Sequence, residues 1–166
     1  MGTFRAFNLN CRITPPLSKD TRIDIQQTSI PLLRDGFNIE VIVSTATILC
    51  SSSTPHILNS AQIIAHFDTG ASKSSIDVEL AKQLGFLPIG ESPGHTAAGL
   101  RQATEYVIDL SFPATNLKPF INLRISSCQL TDPAIQLPFK MLLGRDVMSR
   151  WNILWDGPSS TIIIND

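Results

Sequence analysis

The stretch Phe67-Asp68-Thr69-Gly70-Ala71-Ser72 follows Ile63-Ile64-Ala65-His66 and leads into Ser74-Ser75-Ile76. An apolar run rich in Ile and Phe has the pattern of a buried strand. Here it ends abruptly in a carboxylate, a hydroxyl and a glycine. A carboxylate in a tight turn at the end of a buried strand is costly unless donors surround it. Gly70 and Ala71 are small enough to offer backbone N–H groups without crowding it.

Downstream, Asp77 to Gly85 (DVELAKQLG) reads as a short helix. Asp77 stands at its N-cap or first turn, where its charge suits the helix dipole, and Gly85 stops it. Further on comes Met141-Leu142-Leu143-Gly144-Arg145-Asp146, about 75 residues after the first motif. An Asp-Thr-Gly triplet alone is a weak signal. With its apolar lead, the Ser75-Ile76 tail and the LLGRD segment, it resembles the retropepsin-like, single-domain aspartic proteases. The resemblance covers residues 62–166 well and the chain before them poorly.

The resemblance implies an all-β fold, a single-lobe acid-protease barrel with one or two short helices. It implies an aspartic endopeptidase whose catalytic segment is Asp68, Thr69 and Gly70. Ala71, Gly144, Arg145 and Asp146 are its structural neighbours, with Arg145 tying the following helix to the body and Asp146 serving as its partner or as a cap. The flap that closes over substrate falls in Pro93 to Thr104, and by position Thr96, Ala97, Ala98 and Gly99 form its tip. This flap has one Gly near its tip, where retroviral flaps have several. The bland alternative for the segment is an ordinary hairpin loop.

Aspartic proteases set two carboxylates about three ångströms apart around one water, and the pair shares a proton because both cannot ionise cheaply. The chain holds no second Asp-Thr/Ser-Gly, since Asp35-Gly36 and Asp156-Gly157 lack the middle hydroxyl. One chain therefore supplies half a site, and a two-fold axis beside Asp68 supplies the rest. Homodimerisation becomes a chemical requirement, with Thr161 to Ile164 the expected interface strand. In this scheme one Asp68 takes a proton from water and the other donates to the scissile carbonyl, with no covalent intermediate. Thr69 bonds across the axis, and Gly70 lets substrate approach. With Ala71 in place of Ser, no hydroxyl stabilises the outer carboxylate oxygen, so the shared proton is expected to persist at less acidic pH. Apolar pockets imply extended, apolar-flanked cleavage sites.

Elsewhere the pattern is one of short strands. Residues 1–27 read as an N-terminal arm or a removable pro-segment, with Thr21 to Ile25 alternating like a strand, and 28–166 as the protease domain. Ser29 to Leu33, Asp35-Gly36 and Phe37 to Ile48 read as a hairpin, with Phe37, Ile39, Val41 and Val43 on one face. Residues 50–60 form a Ser-rich loop. Leu87 to Glu91 reads as strand or turn, Tyr106 to Phe112 as a clear strand, and Pro119 to Ile125 and Cys128 to Leu130 as two more. Met141 to Leu143 is a buried strand, Asp146 to Trp151 a short helix, and Asn152 to Ile164 a final hairpin. Trp151 and Trp155 read as core or interface. His66 lacks partners for base or ligand chemistry and reads as structural. His56 and His95 read as loop residues, with His95 beside the flap.

Composition excludes several classes. With 43% apolar and 16% charged residues the chain can build a core, so disorder is not expected. A net charge of −1 offers no basic field for nucleic acid and no polybasic patch for a membrane. Three scattered cysteines fit neither a disulfide scaffold nor a zinc site. No metal or organic cofactor is expected. There is no Asn-x-Ser/Thr sequon, no membrane-length apolar run and no signal-peptide pattern, and Ala6 stands where a myristoylation motif wants Ser or Thr. A cytoplasmic location follows as the default. The expected partners are a second copy of the chain and a peptide or protein substrate. A catalytically silent domain of the same fold that dimerises or binds peptide is the alternative, although an intact Asp68-Thr69-Gly70 argues against it. A phosphatase using Asp68 as nucleophile would need a second Asp where Gly70 stands.

Overall fold

The computed structural model describes residues 3–5, 36–48, 59–96, 99–113, 115–131, 137–156 and 161–166. Several expectations lie outside these residues: the strands at 21–25 and 29–33, most of the Ser-rich loop, positions 97–98, and the turn at 157–158. The side chains of His95 and Thr96 lie outside them too.

The described elements run β1 (Thr3–Arg5), β2 (Asn38–Thr45), β3 (Ser60–Phe67), β4 (Ser75–Asp77), α1 (Val78–Gln83), β5 (Gly90–Thr96), β6 (Gly99–Ser111), β7 (Phe120–Cys128), β8 (Met141–Leu143), α2 (Arg145–Met148), β9 (Asn152–Asp156) and β10 (Thr161–Asn165). Six strands close a barrel in the order β2-β3-β8-β4-β7-β6, with β6 returning to β2, while β5 hangs outside on β6. A second sheet has the order β1-β10-β9. This is the all-β barrel with two short helices that the sequence led us to expect.

Period-two alternation fills the barrel. Ile39, Val41 and Val43 of β2 are fully enclosed, with Phe37 just before them, and they meet Ala65, Ile108, Leu110, Ile125, Met141 and Leu143. Each of these side chains larger than alanine contributes about 1.5–3 kcal/mol by leaving water. Trp151 closes one end of the core, with its ring 5.2 Å from Phe112 and 5.8 Å from Phe120. Trp155 packs edge-on against Phe37 at 4.0 Å yet stays largely exposed.

Helix α1 starts where Asp77 caps it, its side chain accepting from the Leu80 N–H at 3.2 Å. It ends at Gly85, whose φ of +64° is the left-handed conformation glycine adopts without strain. The Asp77 carboxylate is buried and also accepts from the N–H groups of Leu130 and Thr131 and from the Thr131 hydroxyl. Burial pushes its pKa up, but these hydrogen bonds outweigh burial and hold it low.

Three elements differ from expectation. Strand β7 runs unbroken to Cys128, because the parallel neighbour β4 extends its ladder through Ser75–Ser126 and Asp77–Cys128. Strand β5 begins only at Gly90, and Leu87 and Ile89 before it are exposed. Strand β10 is the centre of its sheet, flanked by β1 and β9, so its edges are already paired.

Candidate active site

Asp68 leaves the end of β3 at a fixed point. The Phe67 N–H donates to the Phe37 carbonyl at 2.9 Å, and the Asp68 N–H donates to the Leu143 carbonyl at 3.0 Å. The chain then turns back, and the Ala71 N–H reaches the Asp68 carbonyl at 3.2 Å. This turn aims two backbone donors at one carboxylate oxygen. Gly70 N–H donates to Asp68 Oδ1 at 2.9 Å and Ala71 N–H donates to it at 3.2 Å. Among the described residues no donor is recorded for Oδ2, and the side chain is partly exposed. A Cβ on Gly70 would stand 3.1 Å from Oδ1, so the small residue keeps the carboxylate uncrowded.

The LLGRD segment is the floor under this loop. Arg145 Nη1 donates to the Thr69 carbonyl at 2.7 Å and to the Gly70 carbonyl at 3.2 Å, and the Arg145 N–H donates to the Ala71 carbonyl at 3.0 Å. A guanidinium bonded to two successive carbonyls fixes the loop by its backbone, whatever the loop side chains are. At Gly144 a Cβ would fall 2.5 Å from the Lys73 carbonyl carbon and 2.8 Å from the Ser74 nitrogen, so only glycine fits.

Asp146 is not the partner of Arg145. Its carboxylate accepts from the Ser74 hydroxyl at 2.7 Å and from the Ser74 N–H at 2.9 and 3.0 Å, while Gly144 N–H donates to the Ser74 hydroxyl at 2.9 Å. The competing donors belong to a buried serine 72 positions earlier in the chain, and they outbid an exposed arginine. The two motifs are thus stitched together by Arg145 at the front of the loop and by Ser74–Asp146 behind it.

His66, two residues before Asp68, bonds through Nδ1 to Asn38 Oδ1 at 3.0 Å and stacks on Phe139 at 4.6 Å. Burial lowers its pKa, and the nearby Asp68 charge only partly offsets that. It is a packed, hydrogen-bonded side chain of the β3 face. Cys128 is half-buried, and burial raises its thiol to about 11, so it is not a reactive thiolate. Among the described residues no cluster of His, Cys, Asp and Glu suits a metal ion, and no helix is long and apolar enough to cross a membrane.

The segment expected as a flap is a hairpin. Strands β5 and β6 pair from Gly90–Glu105 out to Thr96–Gly99, which leaves positions 97 and 98 as the connection. Of the four expected tip residues, Thr96 and Gly99 are the last cross-strand pair. An ion cluster at the hairpin root has no counterpart among the motifs of the sequence. There the Glu105 carboxylate is buried between the Lys73 ammonium and the Arg124 guanidinium, with Arg124 Nε donating to Oε2 at 2.7 Å. Lys73, and then Arg124, hold the Glu105 carboxyl down at about 2 against the opposing effect of burial. Lys73 is five positions beyond Asp68, so this cluster joins the Asp68 loop, the hairpin root and β7. A Lys, a Glu and an Arg this far apart in sequence are indistinguishable by residue order from ordinary surface charges.

No protein-family model and no curated protein matches this chain. Among solved structures it is similar to a retropepsin-like aspartic protease from Rickettsia conorii. That match has 22% identity and a TM-score of 0.49, and covers 80% of this chain and 84% of that one. It is also similar to the retroviral protease-like domain of Ddi1 from Leishmania major. There the identity is 15% and the TM-score 0.38, over 71% of this chain and 81% of that one.

Proposed function

We propose that this chain is a retropepsin-like aspartic endopeptidase, active as a homodimer with one Asp68 from each copy. The observation that carries the reading is the Asp68 loop itself. A partly exposed carboxylate is held by two backbone N–H groups on one oxygen, and its loop is braced by the Arg145 guanidinium. A single such carboxylate is a poor acid–base device, whereas two facing each other bind and polarise one water. The ionised Asp68 accepts a proton from that water while its counterpart, protonated, donates to the scissile carbonyl oxygen. The tetrahedral diol then collapses with transfer of a proton to the leaving amine. Thr69 at the loop tip is exposed and available to bond across the two-fold, and Gly70 leaves room for substrate.

The β5–β6 hairpin is the flap in this reading, with residues 96–99 at its tip. Substrate lies extended between it and the Asp68 loop, with apolar side chains beside the cut. Among the described residues β9 pairs with β10 alone, and its other backbone edge favours assembly through the small sheet. The chain's partners are then itself and a peptide or protein, with no cofactor, and its location is cytoplasmic.

The test is peptide-library cleavage read by mass spectrometry, comparing wild type with Asp68→Asn at several pH values. Cleavage by the wild type that falls at least about a thousandfold in the variant is expected, since the variant loses the group that moves the proton. Equal cleavage by both would place the chemistry elsewhere. Absence of cleavage by a dimeric wild-type protein would favour the silent, peptide-binding alternative.

A further inference from the structure

The hairpin has two faces, and only one is turned toward the Asp68 loop. Glu105 identifies that face, because its carboxylate meets the Lys73 ammonium, five positions beyond Asp68. Its neighbour Tyr106 points the other way, into the core beside Phe86. Successive strand residues alternate, so Ala103 and Arg101 share the face of Glu105 and step outward along the hairpin by about 7 Å per pair of residues. Cross-strand geometry agrees: a Cβ on Gly94, the partner of Arg101, would lie 3.9 Å from the Ala103 Cβ.

Arg101 is exposed, and among the described residues no carboxylate pairs with it. Gly94 opposite it has no side chain to cover it. Glu91, the acidic residue of β5, is paired with Thr104 and so belongs to the other face. At the hairpin root this face gathers Lys73 and Arg124 around the Glu105 carboxylate, and Arg101 lies farther out. Lys73 spends one of its three donors on Glu105 and remains about one-third exposed.

We infer that Arg101 is a specificity-determining residue that selects peptides with an aspartate or glutamate near the scissile bond. The inference rests on the peptidase reading above and deepens it. Apolar pockets receive the side chains at the cut, and the underside of the hairpin adds a requirement for negative charge a few residues away. An extended peptide lying under the hairpin presents alternate side chains to it. A carboxylate there accepts from the planar guanidinium of Arg101 in a two-pronged bond.

The experiment uses peptides built on one cleaved sequence, with Asp, Glu, Asn, Gln or Lys placed singly at each position flanking the cut. It is run above about pH 5, where peptide carboxylates are ionised. Arg101 is exposed, so Arg101→Gln and Arg101→Glu are expected to fold like wild type. The expected result is a kcat/KM preference for acid over amide of about fivefold at one or more positions, the upper end for an exposed ion pair. Arg101→Gln removes it, Arg101→Glu turns it toward Lys, and salt weakens it in the wild type. Equal kcat/KM for acid and amide at every position, or a preference that survives in Arg101→Gln, overturns the inference and leaves the peptidase intact. If the wild type cleaves no peptide, the peptidase reading fails. Fluorescence anisotropy with the same labelled peptides then decides the inference alone, equal binding of acid and amide forms overturning it.

Discussion

At Asp68 the two carboxylate oxygens are treated differently. Oδ1 accepts from Gly70 and Ala71, whereas among the described residues no donor is recorded for Oδ2. The residue that decides this is Ala71, since a serine there would bring a hydroxyl to the turn. Ala71→Ser is expected to move the acidic limb of the pH–rate profile to lower pH by up to about one unit, because a new donor favours the ionised carboxylate. The check is kcat/KM against pH for both forms. A profile unchanged in Ala71→Ser, or a wild-type optimum below about pH 4, would contradict the role given to the missing hydroxyl. The triplet was legible because its chemistry is local: carboxylate, hydroxyl and glycine sit within three residues at a strand end. Its support was less legible. The resemblance implied Arg145 as a tie between the following helix and the body; its guanidinium donates to the Thr69 and Gly70 carbonyls, and backbone acceptors leave no mark on residue choice. The resemblance implied Asp146 as the partner of Arg145 or as a cap; its carboxylate accepts from the distant Ser74 and from the Val147 N–H beside it in α2.

At the scale of elements, the β5–β6 hairpin has little core of its own and is anchored at its root. Glu105 sits there between Lys73 of the Asp68 loop and Arg124 of β7. The depressed Glu105 carboxyl makes a definite pH prediction. A group whose folded pKa lies below its ordinary value stabilises the fold above that ordinary value, and this contribution is lost as pH falls. Here the loss runs from about pH 4.5 down to about 2. The melting temperature of wild type is therefore expected to fall more steeply across that window than that of Glu105→Gln, which carries no titrating group at this site. Asp77, also held low, contributes the same trend to both proteins and leaves the difference to Glu105. Parallel curves from thermal melts at pH 2 to 6 would remove the cluster from the account. The strands themselves were readable from period-two alternation, and α1 from Asp77 and Gly85. The ends of β7 and β5 were not, because a strand continues as long as a neighbour offers a ladder, and β4 offers one to Cys128.

For the whole molecule, the question is how two copies meet. The sequence pointed to residues 161–164 because they form an apolar terminal strand. In the fold, β10 is paired on both sides, and Ile162 and Ile164 are buried against the protein's own core. Among the described residues β9 pairs with β10 alone, and on it Leu154 is 59% and Trp155 55% exposed. An uncovered apolar edge strand is a template for pairing with another chain. Leu154→Lys, which puts like charges on that edge, is expected to weaken the dimer by at least about tenfold in Kd, read by sedimentation velocity. An unchanged Kd would move the interface elsewhere. The most direct test of the central claim, that each site takes one Asp68 from each of two chains, is subunit mixing. Wild type and Asp68→Asn are unfolded together in equal amounts at fixed total concentration, refolded, and assayed on a cleaved peptide. If a site needs both carboxylates, random pairing leaves about one quarter of the activity of the all-wild-type sample. If each chain carries a complete site, about one half remains, and the account is wrong.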